Sequence, residues 1–526
     1  MADTEQQQSS ARAEKPNNDR ADTASDATVL ASVRFPETDL AQGIIGWDGQ
    51  NDPANPQNFP PAQKWVLLGL ISSITFISPL ASSMASPAVD DVAKDFGVTN
   101  EILLSFSITV FLLGYTVSGP PPFFRRHQKA VQDLYADIYA SQVGPLVLAP
   151  MSEIYGRRVV LNSANWFFVV WQIGCAFAPN IGALIAFRFL AGIGGVGCVT
   201  LGGGVVADLF PVQQRGLATS IWSMGPLFGP VVGPICGGFI GESIGWRWVY
   251  RILAILGGVL SLGVQLFNRE TYAPVLIQRK TARMAKELGQ DNLRSAYSVA
   301  LDENKSVVQI LMQGLRRPMV LLFRSPIIFL LATYMAFAYG LLFLFFTTIT
   351  PVFRNQYGFS SGIAGLAYLG IGVGSFISLY ITAITNDKIV IKLAARNGGK
   401  LEPEMRLPSM VIFACLLPIS FFWYGWSADK KVHWIVPIIG TVPFGLGIIG
   451  IYMPIQAYAI DCYPGYAASV TATITAARAL FGALLPLAGP KMFASLGLGW
   501  GNSLLGFLAL VFVPVPILFN RYGKDI

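Results

Sequence analysis

The stretch APMSEIYGRR, from Ala149 to Arg158, places one carboxylate, one glycine and two adjacent arginines between two apolar runs. A glycine such as Gly156 permits a tight turn that a side chain would obstruct. Glu153 and the pair Arg157 and Arg158 can form charged contacts between the helix ends that such a turn joins. The composition of the chain and the runs on either side indicate what kind of turn this is.

The chain is far less charged than a soluble protein. Of its 526 residues, 53% are hydrophobic and 13% are charged, whereas soluble domains carry roughly 25% charged residues. Glycine, present 53 times, is frequent in membrane helices because it lets them pack closely. The net charge of +7 does not indicate nucleic acid, since no basic run interleaved with aromatic residues occurs. The composition predicts a polytopic membrane protein with the lipid bilayer, and no nucleic acid, as its partner.

Apolar runs long enough to cross a bilayer, roughly 20 residues for an α-helix, recur along the chain. We predict twelve membrane-spanning helices, called spans 1 to 12, at residues 65–84, 102–150 (interrupted), 159–179, 184–207, 217–240, 247–267, 326–349, 361–384, 408–427, 433–457, 468–488 and 497–519. They form two blocks of six, at residues 63–267 and 326–526, joined by a polar, basic loop at residues 268–325. We expect the polar residues 1–62 to form a disordered cytosolic tail. The distribution of Lys and Arg places both termini on the cytoplasmic side.

Span 2 is interrupted by a polar, basic segment that contains PPPFFRRHQK. Joining Thr116 directly to Val143 gives ILLSFSITVFLLGYTVGPLVLAP, an uncharged run of 23 residues that leads into MSEIYGRR. The excess segment, residues 117–142, begins with Val-Ser, which GTAAGT can encode, and ends with Gln, which CAG can encode; these are the usual boundaries of an intron. We interpret 117–142 as a retained intron, the alternative being a genuine insertion that loops out of the helix. Transcript sequencing across Thr116–Val143 tests this interpretation.

The turn at residues 149–158 resembles the loop signature between spans 2 and 3 of the major facilitator superfamily, roughly GxLxDxxGRR, with Ala149 and Glu153 replacing the first glycine and the aspartate. Two six-helix blocks also fit the repeated architecture of that superfamily. The resemblance implies an all-α membrane protein of two six-helix bundles that opens alternately to each side. It implies a gating role for residues at the inner helix ends: Glu153, Gly156, Arg157, Arg158, Asp208 and Arg215. The alternative for the arginines is simple anchoring at the cytoplasmic face.

Two arginines fall within apolar spans, where a charge is costly and therefore a candidate for function. Arg188, in AFRFLAGIGG, resembles the span-4 arginine that the superfamily links to proton coupling, and Arg478 is a second intramembrane cation in span 11. The alternative for Arg188 is a position near the outer helix end, from which the side chain extends to the interface. No carboxylate pair falls in the middle of a span, so the sequence identifies no proton-carrying residue.

The sequence SMGPLFGPVVGPICGGF, from Ser223 to Phe239, repeats a Gly-Pro pair every four residues. Each proline removes a backbone donor, and the glycines allow close contact with a neighbouring helix. The pattern resembles the antiporter signature of span 5, which implies a tight seam that favours exchange over leak. The residues concerned are Gly225, Pro226, Gly229, Pro230, Gly233, Pro234, Gly237 and Gly238. The alternative is the general tolerance of membrane helices for Gly and Pro.

Further stretches, WDGQNDPANPQNFP, GWRWVYRI, NRETYAPVLIQRK and PEMRLP, make the chain similar to the fungal twelve-span drug:proton antiporter branch of the superfamily. Spans 1, 4, 7 and 10 line the central cavity of this fold, which implies candidate substrate contacts at Ser82, Thr200, Tyr334, Tyr339, Tyr452 and Gln456. Each of these can instead pack against a neighbouring helix. The resemblance implies proton-coupled efflux of a small organic molecule such as a drug, toxin, polyamine or secondary metabolite. The alternative is import or facilitated transport of a nutrient.

The sequence has no motif typical of a zinc protease or an ATP-driven pump, since HExxH and GxxxxGK[ST] do not occur. Two histidines and five scattered cysteines indicate neither a metal site nor a disulfide framework. We therefore expect no catalytic residue, no metal and no cofactor, with the proton gradient as the driving force. We expect a monomer in the plasma membrane.

Overall fold

The computed structural model describes residues 35–117, 144–290, 292–297, 325–398, 402–462 and 467–522, together with residues 320 and 322. Most of this chain is helical, and ten helical stretches are long and apolar enough to cross a membrane. One of the ten, Thr473–Leu518, covers two successive helices, and the shorter apolar helix Glu101–Thr116 adds another. The prediction of twelve spans is confirmed.

The spans form two bundles of six. Spans 1 to 6 are Pro61–Ser83, Glu101–Val117 with Gly144–Tyr155, Arg157–Ala176, Ile181–Leu209, Val212–Ile244 and Trp246–Phe267. Spans 7 to 12 are Pro326–Tyr357, Ser361–Leu366 with Leu369–Arg396, Pro408–Asp429, Ile435–Gly440 with Val442–Cys462, Ala467–Leu484 and Gly489–Phe512. A short helix, Val89–Phe96, follows span 1, and another, Pro514–Tyr522, follows span 12. Between the bundles, helix Ala273–Leu288, called the loop helix, defines what we call the inner side.

The two bundles repeat one pattern of helix pairing. In the first bundle, span 1 packs along span 5, span 2 along span 4, and span 3 along spans 4 and 6. In the second bundle, span 7 packs along span 11, span 8 along span 10, and span 9 along spans 10 and 12. The bundles meet where span 2 contacts span 11 and where span 5 contacts span 8. This correspondence is the structural signature of a duplicated six-helix unit.

The outer faces of the bundles are apolar. Large hydrophobic side chains there are more than half exposed, as contact with lipid requires, and they include Val170, Ile255, Val259, Leu266, Phe376, Tyr380, Ile412 and Val511. In water such a surface would mark an interaction site or an aggregation liability. A bilayer solvates it, because lipid tails are as apolar as these side chains.

The expectation of a disordered tail through residue 62 is wrong for residues 35–62. Within this segment, strand β1 (Ile44–Ile45) pairs in parallel with strand β2 (Arg294–Ser295) of the central loop. Trp47 is 1% exposed and packs in a small apolar cluster with Ile45 and with Ile277 of the loop helix. This local core explains the difference, because the polar composition of residues 1–62 as a whole conceals it. Residues 1–34 lie outside the described part of the chain.

Most of the predicted insert at 117–142 also lies outside the described residues, so its origin as a retained intron stays a prediction. The two described pieces of span 2 both pack along span 4, and both contact span 11. Gly114 lies against Gly192 of span 4, and Leu148 lies beside Gly197 further along the same helix. The two pieces therefore occupy successive levels of one helix position in the bundle.

Candidate functional site

An arginine of the second bundle lies between two tyrosine rings. The guanidinium carbon of Arg478 in span 11 is 5.0 Å from the ring centre of Tyr339 in span 7 and 5.3 Å from that of Tyr452 in span 10. The negative faces of both rings stabilise the cation. All three side chains are partly exposed, so a molecule between the bundles can reach them.

Span 2 brings the first bundle to this place. The Tyr115 hydroxyl lies 2.6 Å from Ser78 Oγ of span 1 and is close enough to Arg478 for the two groups to interact electrostatically. A Cβ on Gly482 of span 11 would lie 2.7 Å from Cδ1 of Leu112 and 3.1 Å from Cδ1 of Tyr339. Spans 2, 7 and 11 therefore converge here, at the junction of the bundles. We call Arg478, Tyr339, Tyr452, Gln456 and Tyr115 the central cluster.

The six residues predicted to contact substrate lie in different surroundings. Tyr339, Tyr452 and Gln456 belong to the central cluster, and Gln456 Nε2 lies 3.5 Å from the Tyr452 hydroxyl. Thr200 is partly exposed on span 4.

The structure places Ser82 and Tyr334 outside the central cluster. Ser82 is 2% exposed, and its hydroxyl donates to the Pro79 carbonyl of its own helix at 2.6 Å. Tyr334 is fully buried and stacks on Phe512 of span 12 with 5.1 Å between ring centres. Tyr334 and Tyr339 lie on different faces of span 7, and only the Tyr339 face points to the junction of the bundles.

Arg188 braces the interior of the first bundle. It is 1% exposed, and its Nη2 donates to the carbonyls of Ser82 in span 1 and Ile108 in span 2, at 3.2 and 3.0 Å. Its Nη1 donates to the Tyr250 hydroxyl of span 6 at 3.2 Å. Arg188 therefore does not extend to the interface, since its hydrogen bonds join spans 1, 2, 4 and 6.

The predicted gating turn is built on a carboxylate that the sequence reasoning missed. Glu270, which follows span 6, accepts hydrogen bonds from the backbone N–H groups of Arg157 and Arg158 at the start of span 3, at 2.8 and 3.3 Å. Gly156 has φ of +98°, and a Cβ on it would lie 2.6 Å from the Glu270 carboxyl carbon. The carboxylate is stabilised by the positive end of the span 3 helix dipole and by these two N–H groups, which have no acceptor within the helix. In the sequence, the signal for this contact is the single acidic residue in NRETYAPVLIQRK.

The Arg157 side chain pairs with Asp208 rather than with Glu153. Arg157 Nε lies 3.3 Å from Asp208 Oδ2 of span 4, and the guanidinium carbon lies 4.8 Å from the Tyr272 ring centre. Burial raises the pKa of Tyr272 to about 12, so the phenol stays neutral and presents its ring to the cation. Glu153 is exposed. The charge network of the turn therefore joins spans 3 and 4 and the start of the central loop.

Arg215, which belongs to span 5, caps the inner end of span 4. Its Nη2 donates to the carbonyls of Ala207 and Phe210, at 2.9 and 3.4 Å. These carbonyls belong to the last turn of span 4, where the helix leaves acceptors without an internal partner. Arg215 therefore acts as a C-terminal cap for span 4.

The glycines of the span 5 motif pack directly on the backbone of span 1. A Cβ on Gly225 would lie 2.9 Å from the Phe76 nitrogen, and one on Gly229 would lie 2.9 Å from the Leu80 nitrogen. Gly233 and Gly237 continue the row against Leu80 and Met84. The helix stays continuous through Pro226, Pro230 and Pro234. Gly238 instead lies against Ser361 and Gly362 at the start of span 8, so span 5 meets span 1 on one face and the second bundle on another.

On the outer side, opposite the loop helix, contacts join the two bundles. Arg354 near the end of span 7 pairs with Asp90 after span 1, with 2.6 Å between Nη1 and Oδ2. Glu242 at the end of span 5 accepts a hydrogen bond from the Gly362 N–H of span 8 at 2.7 Å. The outer ends of the bundles are therefore held together. By contrast, the Arg157–Asp208 ion pair of the inner turn lies within the first bundle.

Among the described residues, no group of three or more His, Cys, Asp or Glu side chains is placed to hold a metal ion. The five cysteines are free. The candidate site therefore consists of helix junctions, aromatic rings and charged side chains.

Two six-helix bundles with the same internal pairing, meeting at a polar cluster in the middle of the apolar layer, define a transmembrane transporter. Comparison with known proteins agrees. The family model of the Major Facilitator Superfamily matches residues 138–486, and the chain belongs to that superfamily. It is a multi-pass membrane transporter and not an enzyme.

Curated relatives match almost the whole chain. It is 45% identical over 524 residues to the MFS-type transporter penM of Penicillium rubens, covering 98% of this chain and 97% of that protein. It is 45% identical to the MFS transporter cpaT of Aspergillus oryzae, covering 92% and 91% of the two chains. It is 40% identical to the efflux pump radE of Floropilus chiversii, covering 95% and 88%.

A solved structure has the same fold. The xylose transporter XylE from E. coli, in a partially occluded inward-open conformation, superposes with a TM-score of 0.61 at 16% identity, covering 87% of this chain and 97% of that one. At this identity the likeness shows the fold alone.

Proposed function

We propose that this transporter exports a small organic molecule, such as a drug, toxin or secondary metabolite, from the cytosol in exchange for protons. We place it in the plasma membrane as a monomer, with both termini cytoplasmic. In this orientation the basic loop helix and the folded segment 35–60 lie in the cytosol, as the positive-inside rule favours.

The observation that carries the proposal is the contact between spans 5 and 1. The row Gly225, Gly229, Gly233 and Gly237 brings the backbones of the two helices together from Ser72 to Met84 of span 1. Such a seam is held by packing of small residues and leaves no room for solvent. A bundle sealed along spans 1 and 5 changes conformation only as a unit, which favours obligatory exchange over leak.

The contacts at the outer side define a conformation closed to the outside. The pair Asp90–Arg354 and the hydrogen bond from Gly362 to Glu242 close the outer junction, while Arg478, Tyr339 and Tyr452 stay partly exposed. We interpret this arrangement as the conformation that loads substrate from the cytosol. A relative at 40% identity, radE, is named an efflux pump.

The test compares the host strain with the gene deleted and with the gene overexpressed, and profiles toxin resistance and small molecules in the medium. Export predicts compounds whose amount in the medium rises with expression and falls on deletion. If compounds are instead depleted from the medium as expression rises, the protein is an importer. If no compound changes in either direction, transport by this chain is contradicted, and a sensor on the same scaffold becomes the better account.

A further inference from the structure

We propose that the exported molecule is an organic anion, whose carboxylate or enolate group binds the guanidinium of Arg478 in the central cluster. This inference names the substrate class of the proposed export function and rests on that function. It is drawn from four features of the cluster: an arginine without a carboxylate partner, its aromatic surroundings, a nearby amide, and the contrast with Arg188.

The positive charge of Arg478 is not neutralised by the described chain. No Asp or Glu of the described residues lies within ion-pair distance of its guanidinium. Its neighbours are the neutral rings of Tyr339 and Tyr452. A charge in a low-dielectric interior without a counter-ion is costly. A bound anion removes that cost, and the planar guanidinium suits a carboxylate through two parallel hydrogen bonds.

Arg188 shows what a structural intramembrane arginine looks like in the same protein. Its two terminal nitrogens donate to Ser82, Ile108 and Tyr250, and it is 1% exposed. Arg478 is partly exposed at the junction of the bundles. Of the two predicted coupling candidates, Arg478 is therefore the one that a ligand can reach.

Gln456 adds a second polar contact beside the anion. Its Nε2 faces the Tyr452 hydroxyl at 3.5 Å, and its Oε1 is buried without a hydrogen-bond partner among the described residues. A buried acceptor without a donor is unfavourable. A hydroxyl or N–H group of the ligand near its acidic group would satisfy Oε1, while the rings of Tyr339 and Tyr452 contact an apolar or aromatic body.

The same arrangement disfavours cations. The π faces of Tyr339 and Tyr452 are already turned to Arg478, so a polyamine or cationic drug would meet a like charge there. The driving force also fits an anion, because an inside-negative membrane potential drives negative charge out of the cell. Exchange for an incoming proton adds to that drive.

The experiment uses full-length wild type, R478Q, R478K and R251Q in the deletion strain, and measures the charge class and export rate of the compounds that the wild type exports. Arg251 is the matched control, since its guanidinium also lies over two rings, 5.6 Å from Phe177 and 5.0 Å from Trp248, away from the central cluster. Surface amount and the thermal unfolding midpoint of each purified variant report folding.

We expect the exported compounds to be acids that are ionised at cytosolic pH. We expect R478Q to lower their export at least tenfold per folded molecule, R478K to lower it severalfold, and R251Q to stay within twofold of wild type. Exported compounds that are neutral or cationic, or full export by folded R478Q, overturn the inference while leaving export intact. Failure of the wild type to export anything overturns the proposed function itself. If R478Q does not fold, R478K, which keeps the charge but loses the bidentate geometry, decides the question in its place.

Discussion

The carboxylate of Glu270 lies against the backbone of Gly156, so closely that a Cβ on this glycine would be 2.6 Å from the carboxyl carbon. Gly156 is thus constrained twice, by its φ of +98° and by the space that Glu270 occupies. Gly245, before span 6, has nearly the same backbone conformation, with φ of +93°, and nothing lies within 4 Å of its Cβ position. Alanine substitutions at these two glycines therefore distinguish the cost of backbone strain from the cost of steric overlap.

We expect G156A to destabilise the protein more than G245A. Both substitutions place a side chain at positive φ, which costs about 1–2 kcal/mol, but only G156A also displaces Glu270 from the start of span 3. The measurement is the thermal unfolding midpoint of the purified variants. In an E270A background, G156A should cost no more stability than G245A does, because the obstructing carboxylate is gone. Equal losses in G156A and G245A would show that the Glu270 contact is unimportant.

The seam between spans 1 and 5 predicts a leak when it is opened. A Cβ on Gly233 would lie 2.9 Å from the Leu80 carbonyl oxygen and 3.1 Å from the Met84 nitrogen, so G233A must push the helices apart. We expect G233A to lower exchange severalfold and to raise passive flux through liposomes. In G258A, on span 6, the added methyl group meets only Val169 at 3.8 Å, and transport should match the wild type. A tight, fully active G233A protein would contradict the role of the seam.

The outer ion pair predicts a shift between conformations. We expect R354A, which removes the partner of Asp90, to increase the fraction of molecules open to the outer side. The measurement is the distance distribution between spin labels at E101C and K430C in a cysteine-free background, one on each bundle. R247A is the control, because Arg247 pairs with Asp95 within the first bundle. Unchanged distances in R354A, or equal changes in both variants, would show that the Asp90 pair does not hold the outer side closed.

The folded segment at 35–60 depends on Trp47. Its indole is buried against Ile277, and its Nε1 donates to the Tyr297 hydroxyl at 3.3 Å. Truncation of a buried Trp costs about 3–5 kcal/mol. This cost exceeds the stability that so small a cluster provides. We expect W47A to release the segment while the bundles stay folded.

Hydrogen exchange can test this directly. The amides of Arg294 and Ala296 donate to the Gly43 and Ile45 carbonyls at 2.8 Å each, so their exchange should accelerate strongly in W47A. The control L40A removes a side chain that is 56% exposed and should leave these amides protected. Protection that survives in W47A would mean that the strand pair, rather than the tryptophan, fixes the segment.

The sequence predicts the architecture well because the membrane simplifies the problem. Each span must satisfy its own backbone hydrogen bonds, so an apolar run of the right length is enough to place a helix. The close-packed face of span 5 was predictable for a related reason, since glycines repeated every four residues lie on one side of a helix.

The site was harder to predict because it depends on which face of a span points to the junction. Tyr334 and Tyr339 lie on one apolar helix, and only the partner helices decide that the first stacks on Phe512 while the second meets Arg478. Glu270 could not be assigned to the turn at Gly156 because more than a hundred residues separate them in sequence. The burial of Trp47 was not predicted, because a core of three side chains hardly changes the composition of a polar segment.

The central claim is exchange of a cytosolic organic molecule for protons, and transport into inside-out plasma-membrane vesicles tests it most directly. In these vesicles the lumen corresponds to the cell exterior, and the probe is a compound identified from the medium of the overexpressing strain. We predict that the compound accumulates in vesicles with an acidic lumen, and that a protonophore abolishes the accumulation. Loss of the compound from the vesicles together with protons, or accumulation that ignores the pH gradient, would contradict the account.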